Sequence, residues 1–375
     1  MARLYRWRVL DLLTSQLERR EALSADQVAE AVACLTDEAL GAEPKAAFLT
    51  ALARKGETVE EVTAFARALR EKAIVPPLDA ETRARVTLDV VGTGGDRVGT
   101  FNISTTAAIL ASAAGVTVAK HGNRAVTSQT GSADVLEALG IPIDLRPEEA
   151  AAWLRDRRFA FFLAPQYHPA FKHIGPARRL CAERGQRTLF NILGPLLNPA
   201  RPTTQVVGVP RPEFCVPVAS ALQRLGIKRG MVVCGLIGSS PRGHGTHCGD
   251  PGVPAADPVC IDELSTLGET TVAEFYQDHG FSVSHLSLLS LPLQPATLAD
   301  LLGGDRQTNA AIARRVLCGE ERGPKRDAVL LTAGAALFVA GAATSVTAGW
   351  DLAAEAIDSG QAKAKLAELQ RGRKE

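Results

Sequence analysis

The sequence predicts an α/β protein in two parts: a small helical domain over residues 1–76, hinged to a larger domain over 77–375 with a mainly parallel central sheet. Three observations carry that expectation. Hydrophobic spacing is helical throughout residues 7–73, where β-branched runs are almost absent. From Val86 onward, short β-branched runs that end in glycine alternate with helical stretches, the pattern of strand–helix–strand units with right-handed crossovers. The chain has 375 residues, of which 46% are hydrophobic and 22% charged, enough for about two domains with sizeable cores.

In the helical part, Val9, Leu12, Leu13 and Leu17 share one face. Ser24 with Gln27 and Thr58 with Glu61 read as capping boxes, and Lys55-Gly56 reads as a helix end. Three or four short amphipathic helices follow from these signals. Ile74-Val75-Pro76-Pro77 stops them and makes a hinge. Helices around 170–186 are expected to join this domain. Beyond the hinge, residues 86–91 predict a buried strand ending at Gly92. A helix over 103–114 stops at Gly115, a strand runs over 116–119, a helix over 133–139, and another strand lies near 141–144. Similar units recur at 204–209, 213–225 and 230–234. Residues 235–259, rich in Gly, Pro, Ser and Asp, read as a long exposed loop. A strand at 270–276, a turn-rich segment to about 295 and two C-terminal helices complete the expectation.

Composition excludes several classes. Lys and Arg total 42 against 41 Asp and Glu, a net charge of +1, so nothing favours broad binding to nucleic acid or a membrane surface. The seven cysteines include no CxxC pair, which argues against a zinc ribbon or a thioredoxin-type site and for a reducing, cytoplasmic location. Arg8 and Asp11 interrupt any apolar core that a signal peptide would need. No run of about 18 apolar residues suggests a membrane span.

The densest chemical signal lies between Asp89 and Gly140. Gly92-Thr93-Gly94-Gly95-Asp96 closes a strand, where glycines let backbone N–H groups approach a phosphate. The turn lacks the Lys-Ser/Thr ending of a P-loop and is not GxGxxG, so ATPase and nicotinamide readings lose support. Thr100-Phe101-Asn102-Ile103-Ser104-Thr105 opens a helix; Asn102 is placed to cap it, and the first-turn amides make an anion site. Lys120-His121-Gly122-Asn123-Arg124, followed by Ser128 to Asp134, forms a second cradle at a strand end. Ligands collect at the carboxyl ends of strands in open α/β sheets. Three such loops on one edge imply a ligand with more than one phosphate.

Taken in order, GTGGD at 92–96, NIST at 102–105 and KHGNR at 120–124 resemble the phosphoribosyl-diphosphate site of the anthranilate phosphoribosyltransferase family. The resemblance extends to KGET at 55–58, YHPAFKHIGPAR at 167–178, RTLFNILGPLLNPA at 187–200 and DELS at 262–265, and so covers most of the chain. It implies a nucleoside-phosphorylase-like fold, commonly a homodimer through the helical part. The implied reaction transfers phosphoribosyl from 5-phosphoribosyl 1-diphosphate to the amine of anthranilate, a step of tryptophan biosynthesis. Carried over by position, the phosphoribosyl-diphosphate contacts fall on Gly92, Gly95, Asp96, Thr100, Asn102, Ile103, Ser104, Thr105 and Ser132. The run Lys120, His121, Gly122, Asn123, Arg124, Ala125, Val126, Thr127 and Ser128 lines the same ligand. Lys120 takes the catalytic role of neutralising the departing diphosphate. Ser104, Asp262 and Glu263 are the implied contacts for Mg²⁺, expected as two ions, and hard oxygen donors suit that metal. Gly92, Asn123 and Arg178 are the implied anthranilate positions, Arg178 holding the carboxylate. His121 and His168 are readable equally as general bases or as positioning residues.

Two departures from the family pattern stand out: a longer segment at 179–186 and the long 235–259 loop. That loop carries His244, His247 and Cys248, flanked by Cys234 and Cys260, but their irregular spacing favours a metal-free surface loop over a zinc site. The rival readings are a pyrimidine nucleoside phosphorylase of the same fold and a non-catalytic nucleic-acid-binding relative. KHGNR and GPAR argue against the first, and the balanced charge and the Asp262-Glu263 pair argue against the second.

Overall fold

A computed structural model of the chain describes residues 2–125, 129–238, 259–277 and 280–372. Four helices open it: α1 (Ala2–Glu18), α2 (Ala25–Leu35), α3 (Ala42–Lys55) and α4 (Val59–Glu71). Both expected capping boxes form. Ser24 Oγ accepts from Gln27 N, Thr58 Oγ1 accepts from Glu61 N, and each partner side chain returns to the cap amide. Each such cap contributes about 1 kcal/mol. Glu61 does more than cap. Its buried carboxylate also takes Leu23 N at 2.9 Å and Lys55 Nζ at 2.7 Å, tying three helix ends together. Gly56 ends α3 at φ 88°, a left-handed value that glycine tolerates without strain. The apolar faces of these helices share one core with Ala177 and Cys181 of the later helix Gly175–Glu183 and with Ile174 just before it.

The sheet strands are β1 (Thr87–Gly92), β2 (Thr117–Gly122), β3 (Phe159–Leu163), β4 (Thr204–Gly208), β5 (Arg229–Ile237), β6 (Val259–Ile261), β7 (Thr270–Tyr276) and β8 (Gly280–Leu286). Their order is β3-β2-β1-β4-β5-β7-β8, with β6 paired to the end of β5. The first five in that order are parallel, whereas β6, β7 and β8 pair antiparallel. Parallel pairing puts the C-terminal ends Gly92, Gly122 and Gly208 on one edge.

The structure corrects three expectations. The strand after the helix Ser132–Ala138 is β3, not residues 141–144. Ile141, Ile143 and Leu145 alternate into the core without strand pairing, while Phe159-Ala-Phe-Phe-Leu163 is a continuous apolar run. Such a run has no period to distinguish a buried strand from a helix. The turn-rich segment after β7 contains the edge strand β8, whose residues are mostly exposed. Four C-terminal helices of at least ten residues, Arg306–Leu317, Pro324–Val339, Val346–Asp358 and Gln361–Gln370, replace the two expected. Two of them touch backbone to backbone, since a Cβ on Gly349 would lie 2.3 Å from Gly334 O. These helices and Ile103–Ala113 bury the second core against the sheet. Among the described residues no helix is long and apolar enough to cross a membrane. Ile237 pairs with Val259, so the ends of the long loop lie side by side. His244, His247 and Cys248 lie outside the described residues.

Candidate active site at the strand ends

The glycine turn after β1 is shaped by its backbone. Gly94, Gly95 and Gly99 adopt φ of 72°, 90° and 81°, and Arg97 follows at 62°. Side chains at the three glycines would be strained. The turn is seated by Thr93 N on Gly208 O at 2.9 Å. Asp262 rests directly on the glycines that end β1 and β4. A Cβ on Gly92 would lie 2.4 Å from Asp262 Oδ2, and one on Gly208 only 1.6 Å from Asp262 O. Glycine at both strand ends is therefore a packing requirement for this turn, whatever the ligand.

Asp262 Oδ2 accepts from Gly94 N at 2.6 Å, and Asp262 N donates to Asp96 Oδ2 at 3.4 Å. Glu263 Oε1 accepts from Ser104 N at 3.1 Å. The helix Ile103–Ala113 is thus capped by a carboxylate 159 residues away in sequence, and Asn102 does not cap it. Asn102 instead donates to Thr130 O at 3.3 Å and accepts from Asn309 at 2.9 Å, because its backbone at ψ 72° turns the side chain toward neighbouring loops. Burial raises the pKa of Asp262 well above the ordinary carboxylate range, and the nearby Asp96 and Glu263 raise it further. Burial likewise pushes Glu263 up to about 7, opposed by the Ser104 hydrogen bond and by the charge of Lys120. Asp262 and Glu263 form no ion pair among the described residues. Nor do three Asp, Glu, His or Cys side chains converge there into a ready-made metal site. Mg²⁺ usually takes one or two carboxylates and completes its shell with water and phosphate.

Lys120 lies 1% exposed beneath this edge, with Nζ on Val90 O at 2.6 Å. Burial lowers its pKa, while Asp89 and Glu263 favour its charged form. Asp89 is a buried carboxylate that takes His121 N at 3.3 Å and Asn198 Nδ2 at 2.8 Å. Burial raises it to about 6. The cradle after β2 folds back because Gly122 and Gly131 lack side chains: a Cβ would lie 2.2 Å from Ser132 Oγ and 2.4 Å from Ala125 N, respectively. Asn123 O accepts from Ala133 N and Ser132 Oγ. Arg124 is engaged with Asp134 and Glu137 at 3.2 and 2.8 Å, which leaves its guanidinium facing acids. Ile103 and Thr105 are buried in the first turn of their helix. Thr100 bridges to Leu302. Val126, Thr127 and Ser128 lie outside the described residues.

A row of rings leads from β2 to Arg178. His121 and His168 lie 5.3 Å apart, His168 and Phe171 5.3 Å, and Phe171 and Phe190 5.7 Å. The Arg178 guanidinium sits 5.3 Å from the Phe190 ring. Arg178 is half-buried and pairs with no carboxylate among the described residues; burial alone lowers its pKa. A surface helix charge would not be so placed. Burial depresses His121 to about 3 and His168 to about 4, so both rings are neutral at physiological pH. His121 Nδ1 lies 3.2 Å from Gly194 O.

Some site residues were not picked out from sequence. Asp89 and Asn198 looked like an ordinary strand residue and a loop residue, and only the fold buries them together. Arg187, the first residue after the lengthened 179–186 segment, reaches Gly95 O with Nη2 at 3.3 Å. Residues 301–309 clamp the turn from the far end of the chain, through Phe101 N on Leu301 O, Gly303 N on Gly99 O, and Asn309 on Asn102. The Gly303-Gly304 pair was their one available signal.

Comparison with known proteins agrees over nearly the whole chain. Residues 11–73 match a family model described as the helical bundle domain of a glycosyl transferase family. Residues 84–242 and 257–363 match the a/b domain of that family. An anthranilate phosphoribosyltransferase of Alkaliphilus metalliredigens is 44% identical over 86% of each chain. One of Roseiflexus castenholzii is 43% identical over 94% of this chain and 95% of its own. The crystal structure of the Thermus thermophilus enzyme of that name aligns with TM-score 0.81 at 40% identity, covering 96% of this chain and 98% of that one. The Saccharomyces cerevisiae enzyme, in complex with PRPP and Mg, aligns with TM-score 0.81 at 26% identity over 96% and 97%.

Proposed function

The chain belongs to the anthranilate phosphoribosyltransferase family, and from that premise we propose that it transfers phosphoribosyl from 5-phosphoribosyl 1-diphosphate to anthranilate, a step of tryptophan biosynthesis. The observation that carries the reading is a paired deficit. Carboxylates without an ion-pair partner among the described residues crowd one part of the strand edge, and Arg178, likewise unpaired, stands at the end of the ring row that begins beside Lys120.

In this reading the diphosphate lies on the 92–96 turn and on residues 100–105 and 120–128, with Ser132 closing the cradle. The first-turn amides of the helix Ile103–Ala113 face it with a positive dipole end. Ser104, Asp262 and Glu263 would hold Mg²⁺, as two ions with the diphosphate. All their donors are oxygens, and a cation between them would offset the burial, and the smaller repulsion, that raise both carboxyl groups. Bound Mg²⁺ supplies neutralisation of the departing diphosphate. Lys120 adds a fixed positive charge from beneath, where low polarity makes it more effective than in water. Arg178 takes the acceptor carboxylate, with Asn123 and Gly92 bordering the ring. The C1–O bond breaks with its electron pair leaving on diphosphate. The aniline lone pair forms the C1–N bond from the opposite face, and one amine proton passes to solvent. With both histidines neutral and buried, positioning is their part; alignment of two bound substrates is worth several kcal/mol by itself.

In the same reading the chain divides at residue 76, with 170–186 joined to the helical part, and hinges beside the crevice. Tyr5, Trp7 and Leu12 expose large apolar surface on α1, which supports a homodimer through the helical domain. Cys34, Cys181, Cys215, Cys234 and Cys318 are free thiols, which supports a cytoplasmic location.

Loss of anthranilate fluorescence on mixing with phosphoribosyl diphosphate and Mg²⁺, alongside a panel of substituted anthranilates, tests the reading. No loss with any of them, together with phosphorolysis of thymidine or uridine, would overturn it in favour of a nucleoside phosphorylase.

A further inference from the structure

A groove of about 370 Å³ opens between α4 and the connections that lead into β4 and β5; of its lining residues only the charge of Arg70 bears on the site above, at His121 and His168. Its walls include Arg67, Arg70 and Glu71 of α4, Arg201 before β4, and Leu225 and Ile227 before β5. Three guanidiniums therefore share one small space, and none of them forms an ion pair among the described residues. Arg67 reaches only the Arg224 carbonyl, at 3.4 Å. Arg70 is 7% exposed; its Nε donates to Leu196 O at 2.6 Å, while its buried Nη2 has no hydrogen-bond partner.

A buried cation whose donors are unfilled is unfavourable unless something completes it. Burial and the neighbouring charge of Arg201 both work against the charge on Arg70. Arg201 is also held at φ 51°, a left-handed value uncommon for a side chain of this size. Glu71 lines the groove without an ion pair to any of the three, so positive charge remains in excess there. Guanidinium forks suit oxyanions, which they grip through two parallel N–H···O bonds.

We propose that this groove is a second ligand site, which binds a small oxyanion, phosphate or carboxylate, between Arg67, Arg70 and Arg201. The apolar floor of Leu225 and Ile227 leaves room for a short carbon body on the anion.

Calorimetric titration of the full chain with sodium phosphate, and separately with citrate, tests this against the double variant Arg67→Ala/Arg201→Ala. The wild type is expected to show a binding event that the variant loses or weakens about tenfold for each guanidinium removed. The KM for phosphoribosyl diphosphate and the melting temperature are expected to match in the two proteins, which separates the groove from the crevice. Arg201→Lys, which keeps the charge, should retain most of the affinity. Binding of citrate alone would retain the site and assign it to carboxylates. Identical isotherms for wild type and double variant, or no response to either anion at millimolar concentration, would overturn the proposal.

Discussion

The two sides of the candidate site have opposite electrostatic deficits. At the acidic turn, Asp96, Asp262 and Glu263 crowd together, and the two members of the pair are driven toward protonation. At the helix Gly175–Glu183, Arg178 is half-buried against Phe190 without an acid, and burial works against its charge. The acidic turn is rigidly built: it sits on glycines with no space for a Cβ and caps a distant helix. The Arg178 guanidinium lies over Phe190 with no ion pair among the described residues. One side gathers oxygen donors without a counter-cation in ion-pair contact, and the other offers a guanidinium fork without a carboxylate.

Removing the acids should break the comparison most severely. Asp262→Ala/Glu263→Ala is expected to lower turnover by about two orders of magnitude and to raise the Mg²⁺ concentration needed for half-maximal rate. A metal titration that superimposes on the wild type would remove both residues from the cation site. Arg178→Ala tests the other side. Its KM for anthranilate should rise roughly ten- to a hundredfold, the loss of one charge-assisted pair at about 1.5–3 kcal/mol. The KM for phosphoribosyl diphosphate should change little. Equal effects on both substrates would make the arginine a support of the hinge.

Gly208→Ala sharpens the claim of rigidity. A Cβ there meets the Asp262 carbonyl at 1.6 Å, so the acidic turn must move, at a cost of about 1–3 kcal/mol. Turnover should fall while the KM for anthranilate holds. Unchanged activity and melting temperature would show that the turn tolerates displacement.

The smallest effect concerns the two histidines between these sides. Their folded pKa values, about 3 and about 4, lie below the ordinary 6.5. As pH falls, the unfolded chain takes up these protons first. The stability due to the neutral rings is therefore complete above about pH 6.5 and is lost progressively as pH falls toward 4 and 3. His168→Asn should flatten the decline of melting temperature between pH 7 and 5 relative to the wild type. Parallel declines in the two proteins would assign the acid sensitivity to other groups.

Much of the site was legible because its chemistry is local. A phosphate-approaching turn needs glycine within a few residues, and GTGGD, NIST and KHGNR each announce a strand end or helix start by themselves. Capping boxes are equally local, and both expected ones formed. Asp262 and Glu263 were different. Without the family pattern they read as a solvated surface pair, since no neighbour in sequence shows that Gly92 and Gly208 leave space for them. Asp89 with Asn198, Arg187 on Gly95, and Asn309 on Asn102 join residues more than 90 positions apart, beyond the reach of any spacing rule. β3 was missed because a continuous apolar run has no period, and β8 because an exposed edge strand has little burial to pattern.

The helical opening, the change to strand–helix units after the prolines, and the loops able to approach a phosphate are written in local runs of residues. These depend on backbone preferences and hydrophobic period, which act over a few residues. Which charges are left without partners depends instead on the assembled fold. Burial and separation of groups distant in the chain set their electrostatics. Asp262 beside Asp96, Arg178 over Phe190 and Arg70 beside Arg201 acquire their character only when the sheet and helices bring them together.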